Sequence, residues 1–271
     1  MNDLRPFIKH DLKLMYLSSL LVAMIMAIVS IASILYWNVI YPASKATSSV
    51  GTDAFDLVLI LPILLISIWL AHRGNLIGLL LWPGTLLYIL YIYTFNVIGV
   101  PFNELFLLYI VLAALSAYTI IGLVASIDSN AVRRRLADVV PKRAAGGVLI
   151  VLAILFIVMD AYAVVAALLS HTPVDIQMQT PWIVDLIVEC PVLLIGGVLL
   201  WRRTSLGYVA GAGLLLQISA LFIGVPVSLV LGALLTGSPI DLSSTVIVII
   251  GLIPMVLLLF FVRGAVSSCA P

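Results

Sequence analysis

Eight apolar stretches of roughly 20 residues, at about 14–37, 55–71, 76–97, 105–126, 147–170, 182–201, 205–222 and 243–263, constrain this chain more than any motif in it. A helix of that length crosses about 30 Å of hydrocarbon and satisfies its own backbone hydrogen bonds on the way. Hydrophobic residues make up 64% of the 271 and charged residues only 9%, too little polar surface to cover a water-soluble globule of this size. The expected fold is an all-α integral membrane protein of eight transmembrane helices. The first stretch is too long for a signal-peptide core and is read as a retained helix.

The basic residues set the expected topology. Arg5, Lys9 and Lys13 precede the first stretch, and Arg73 follows the second. Arg133, Arg134, Arg135, Lys142 and Arg143 lie between the fourth and fifth, Arg202 and Arg203 follow the sixth, and Arg263 closes the eighth. With eight spans, all but Lys45 of the 13 Lys and Arg fall on one side, which the positive-inside rule makes cytoplasmic. Both termini are then cytoplasmic, in a cytoplasmic membrane.

The chain also says one thing twice. Asp56 to Ile89 recurs about 129 residues later without a gap, pairing Asp56 with Asp185, Pro62 with Pro191, Arg73 with Arg202, Gly78 with Gly207 and Gly84 with Gly213. An even number of spans per copy gives both copies the same orientation, so the expectation is two parallel four-helix repeats. These occupy 1–127 and 147–271, with 128–146 as a basic cytoplasmic linker. Further on, Ile98-Gly99-Val100-Pro101 recurs as Ile223-Gly224-Val225-Pro226, about 125 residues later. That slip predicts a break of the seventh helix at 224–226, with 227–236 as a separate short piece at the outer interface.

Acids inside apolar helices carry the chemical interest, because charge near the bilayer centre is costly and normally faces the bundle interior or a water-filled cavity. Asp160, Glu189 and Gln217 fall at similar depths on the fifth, sixth and seventh helices. Asp185 lies four residues before Glu189, on the same helix face and about 6 Å nearer the outside. Together they form an acidic ladder that suits a proton, a cation or a polar solute. They also suit an architectural role, as neutral acids hydrogen-bonded across helices to Gln217 or Ser219. In the first repeat Ile31, Ile60 and Tyr88 hold the matching positions, so the polar layer is expected in the second repeat alone.

Other duplicated residues have structural explanations. Pro62 and Pro191 lack the N–H that would pair with the carbonyls of Val58 and Ile187, and a kink is expected at each. Asp56 and Asp185 are placed at outer helix starts, where a carboxylate favours the helix dipole. Arg73 and Arg202 snorkel at the inner interface. The density of Tyr88, Tyr91 and Tyr93 exceeds what an aromatic belt needs.

Several classes are disfavoured. A net charge of +1 gives no nucleic-acid footprint. No P-loop, G-x-G-x-x-G after a strand, H-E-x-x-H or G-x-S-x-G is present. His10, His72 and His171 have no second ligand at zinc spacing, and no cofactor is expected. Cys190 and Cys269 fall on opposite sides of the membrane and form no disulfide framework.

The D-L-x4-P run at Asp56, the L-x-x-R-G at Leu70 and the P-F-N-E-L-F-L-L-Y at Pro101 resemble stretches of uncharacterised prokaryotic multi-span membrane proteins. That resemblance implies a prokaryotic cytoplasmic membrane and no activity. The leading expectation is binding or transport of a small cation, proton or polar solute through the second repeat. The first alternative is a non-transporting accessory, assembly or sensory subunit, docking a membrane-protein partner or a second copy through the Gly196-Gly197 and Gly211–Gly213 faces. The second is a lipid-modifying enzyme whose carboxylates open sideways to the bilayer.

Overall fold

The computed structural model describes residues 7–43, 45–171, 173–239 and 245–267. Arg5 and Cys269 lie outside them. Eight helices are long and apolar enough to cross a membrane, and the chain is a multi-pass integral membrane protein. They are α1 (Lys13–Leu35), α2 (Ala46–His72), α3 (Leu76–Gly99), α4 (Phe106–Ser126), α5 (Lys142–Ser170), α6 (Ile176–Trp201), α7 (Ser205–Thr236) and α8 (Thr245–Ser267). A linker helix, Ser129–Leu136, joins α4 to α5, and its first turn is capped by the Asp128 carboxylate.

The centre of the bundle is the pair α3 and α7. Residues 82–89 and 211–220 are buried on every side, as expected of helices apolar all round. The two cross where Gly84 meets Gly213, so closely that a Cβ on Gly84 would lie 2.3 Å from the Gly213 Cα. Only two glycines allow backbones this near. Long apolar side chains such as Leu17, Val58, Leu107 and Val151 remain exposed on the periphery, where lipid replaces water as their solvent.

One end of the bundle collects the basic residues. There Lys9 N–H bonds to the Ser126 carbonyl (2.8 Å) and Asp128 N–H to that of Phe7 (2.7 Å), so the segment before α1 is tied to the end of α4. Ser129 of the linker helix donates to Ser205 at the start of α7 (3.2 Å), and Val139 packs on Gly264 of α8. Arg73 ends α2 with its guanidinium 4.1 Å from the Trp69 ring centroid, a cation–π contact.

Two turns at this end have one design. After α2, Gly74 adopts a φ of 91° and Asn75 caps α3 through its side chain. After α6, Arg203 adopts a φ of 59° and Thr204 caps α7. In both, the last two N–H groups fold back on the preceding helix: Gly74 and Asn75 on Ala71 and Leu70, Arg203 and Thr204 on Leu200 and Leu199.

Three sequence expectations need correction. The second helix begins at Ala46 and the sixth at Ile176, not at 55 and 182. Their first turns are too polar to read as membrane, and α2 is held there by close backbone packing of Gly51 on Ser228 and of Gly232 on Thr47. Asp56 and Asp185 consequently sit about 15 Å inside their helices at 1.5 Å per residue, away from the start where a dipole acts.

Helix α7 is also continuous over its 32 residues, without the expected break at 224–226. Pro226 leaves the Phe222 carbonyl without its usual helical partner, but one missing rung does not break the helix. The half of α7 remote from the basic end is locked against α2 by the same small residues, Gly51 and Gly232, and by Thr47 against Ser238 (3.0 Å). Tertiary contact overrides the length limit that the hydrocarbon alone would set.

Finally, each duplicated proline is preceded by a π-helical turn, Asp56–Ile60 before Pro62 and Asp185–Glu189 before Pro191. The wider turn accommodates a ring that lacks an N–H, and it brings two carboxylates of α6 to its two ends.

Candidate functional site

The acids expected in the second half are buried, and the structure joins one of them to Gln217. Gln217 on α7 donates from Nε2 to Glu189 Oε2 at 2.6 Å. Glu189 is 1% exposed and Gln217 fully buried, and the remaining oxygens, Glu189 Oε1 and Gln217 Oε1, have no partner among the described residues. Asp160 is buried on α5 with its Oδ2 unpartnered, and no hydrogen bond joins it to Glu189 or Gln217.

Asp185 looks the other way, toward the first half. Its Oδ1 accepts a 2.7 Å hydrogen bond from the Tyr91 hydroxyl of α3. The excess of tyrosine in that helix thus has a structural use: Tyr88 faces Asp56, Tyr91 serves Asp185, and Tyr93 packs on Tyr109 with ring centroids 6.1 Å apart.

A polar layer is present in the first half too, against the sequence expectation. Asp53 and Asp56, 3% and 1% exposed, lie three residues apart on α2. Tyr41, from the loop before that helix, donates to Asp53 Oδ2 at 2.6 Å. Position matching missed this cluster because Asp53 aligns with Trp182, and because the polar turns of α2 read as loop. The signal available was two acids at helical spacing in a segment followed by apolar residues.

Between the halves lies a cavity of about 510 Å3. Its walls are largely apolar and aromatic, with Phe156 of α5 stacked on Phe222 of α7 at 5.7 Å. Its polar boundary includes Lys45, Asn96, Tyr41, Asp53 and Tyr91. Both tyrosine–aspartate pairs therefore adjoin one chamber, which lies in the part of the bundle remote from the basic end. The size is that of a small-molecule site.

The glycines expected to dock a partner are used within the chain. Gly197 packs on Gly146 and Ile150 of α5, Gly196 on Leu214, and Gly211 on Phe261 of α8. Glu189 and Asp185 are closed off from the periphery, so neither opens sideways to lipid. Among the described residues no three His, Cys, Asp or Glu gather as a metal cluster. Comparison with protein-family models, curated proteins and solved structures finds no match to this chain.

Proposed function

We propose that the protein binds and moves a small cation, proton or polar solute, with the central cavity as its chamber and the acids of the second half, Asp185, Glu189 and Asp160 with Gln217, as its polar site. The observation that carries this reading is the Tyr91–Asp185 hydrogen bond, since Tyr91 lines the cavity and so joins it to the acidic face of α6. The unpartnered oxygens of Glu189, Asp160 and Gln217 supply acceptors for a cation or a bound proton.

The architecture that goes with this reading is two parallel four-helix repeats, residues 1–127 and 147–271, related by an axis along the membrane normal. Residues 128–146 then link them on the cytoplasmic side, with both termini there and the cavity opening outward. Support comes from the paired π-helical turns, the paired left-handed turns at Gly74 and Arg203, and the contact of the equivalent glycines Gly84 and Gly213. A pseudo-twofold axis brings equivalent residues of two copies together only where it passes between them.

The test is thermal stability of the purified protein and an Asp160→Asn, Glu189→Gln double variant, across pH and a panel of monovalent and divalent cations. A ligand that binds only the folded state raises the melting temperature by mass action. The expected result is one cation, or protonation, that stabilises the wild type and fails to stabilise the variant. Identical responses from both would refute a binding role for these acids.

A further inference from the structure

The first half holds a polar chamber richer than the second, and nothing in the reading above uses it. It is built by α1, α2, α3 and α4 around Asp53 and Asp56. Ser30 and Ser33 of α1 point at Asp53, Tyr93 of α3 points at Ser30, and Tyr109 of α4 points at Ser33. All four side chains are fully buried. Their hydroxyls, together with Asp56 Oδ1, approach one another without closing a hydrogen bond.

Five buried oxygens that face one another and yet close no hydrogen bond are unusual, because native interiors normally contain few of them. A purely architectural polar cluster would be expected to pair them, as Tyr41 pairs Asp53 Oδ2. The set has a definite chemistry: two carboxylates, two serine hydroxyls and the tyrosine phenols supply oxygen only. Oxygen ligands of this type select hard cations over zinc or copper. Lys45 and the other basic residues form no ion pair with either carboxylate among the described residues.

Charge and ligand count separate monovalent from divalent ions. Calcium takes six to eight oxygens in a charged cage, and magnesium dehydrates reluctantly and keeps several waters in a rigid octahedron, which suits an open site better than this fully buried one. Here one carboxylate oxygen is already committed to Tyr41, and the remaining donors are mostly neutral hydroxyls. There is also a route in, because Asp53 and Tyr41 stand in the wall of the central cavity.

We propose that this chamber is a binding site for one hard monovalent cation of the sodium type, held by Asp56 and Asp53 with Ser30, Ser33, Tyr93 and Tyr109, and entered from the central cavity past Tyr41. The site is distinct from the acids of α5 and α6 and does not depend on their role.

The experiment is equilibrium binding of radioactive sodium to the purified full chain in detergent. It is run beside thermal melts in sodium chloride and in N-methylglucamine chloride at constant ionic strength. The wild type is expected to bind sodium and to melt higher in it. Asp56→Asn and Ser33→Ala are each expected to lose one equivalent of sodium per chain, or to bind it at least tenfold more weakly, while Tyr118→Phe, at an exposed position of α4, keeps it, and Glu189→Gln is measured beside them. Should Asp56→Asn fail to fold, Ser33→Ala and Tyr93→Phe carry the test, since each removes a single neutral ligand.

Absence of sodium binding by folded wild type overturns the proposal and leaves a hydrated hydrogen-bond cluster. So does binding that survives both Asp56→Asn and Ser33→Ala. Loss in Glu189→Gln alone would place the cation in the second half, sinking this inference while sustaining the earlier one.

Discussion

Gly84 of α3 and Gly213 of α7 meet backbone to backbone, and a Cβ on Gly84 would lie 2.3 Å from the Gly213 Cα. No side-chain movement relieves that overlap, because both partners are main chain of the two most buried helices. Gly84→Ala is therefore expected to lower stability by about 1–3 kcal/mol, the usual cost of overpacking. Gly122→Ala is the control, since a Cβ there meets only the flexible end of Met15. Thermal melts of the two variants in one detergent check the pair; equal melting temperatures would mean that the central crossing is looser than described.

The left-handed turn after α6 is occupied by Arg203, whereas its counterpart after α2 has Gly74. A residue with a Cβ in that conformation costs about 1–2 kcal/mol relative to a relaxed one, and glycine avoids the cost. Arg203→Gly is expected to be more stable than Arg203→Ala by roughly 1 kcal/mol, and Gly74→Ala less stable than wild type by a similar amount. Comparing the glycine with the alanine variant removes the effect of the lost charge. Chemical denaturation of all three would measure it, and a lower stability for Arg203→Gly than for Arg203→Ala would contradict the turn.

The helices were legible in the sequence because the bilayer imposes length and apolarity, and an amino-acid scale reads both. Their ends remote from the basic residues were not. The first turns of α2, Ala46–Phe55, contain Thr, Ser, Gly and Asp and are helical because Gly51 and Val50 are covered by other helices, a property of the assembled bundle. The continuity of α7 through Pro226 has the same origin. Among the site residues, Glu189 and Gln217 were readable as neighbours from depth alone. Tyr91 with Asp185 was not, since their meeting depends on how the halves pack, and the Tyr41–Asp53 pair depends on where a loop returns.

The sidedness of the chain rests on charge and is open to direct labelling. In a background with Cys190 and Cys269 replaced by alanine, Lys45→Cys and Arg134→Cys each place one thiol at an exposed position, Lys45 before α2 and Arg134 in the linker helix. The positive-inside rule puts Lys45 outside and Arg134 inside. A membrane-impermeant maleimide applied to intact cells should label Lys45→Cys, and label Arg134→Cys only after permeabilisation. The opposite pattern would invert the topology and turn the cavity toward the cytoplasm.

The Glu189–Gln217 contact is the one point where the expected layer closes into a hydrogen bond, at 2.6 Å in a fully buried setting. Its strength decides whether the acid is held mainly by the bundle or kept available. Interhelical hydrogen bonds in bilayers average about 0.6 kcal/mol and reach about 1.7 kcal/mol, because the unfolded state in the membrane also finds partners. A double-mutant cycle of Glu189→Leu and Gln217→Leu is expected to give a coupling energy within that range, the double variant losing less than the sum of the singles. Glu189→Gln preserves an acceptor for the Gln217 amide and should stay within about 0.5 kcal/mol of wild type. A coupling near zero would mean that Gln217 does not hold the acid in place. A large coupling with a damaging Glu189→Gln would show that the bond needs the carboxyl group itself, as expected where a carboxylate, rather than any acceptor of the same shape, is the feature the fold maintains.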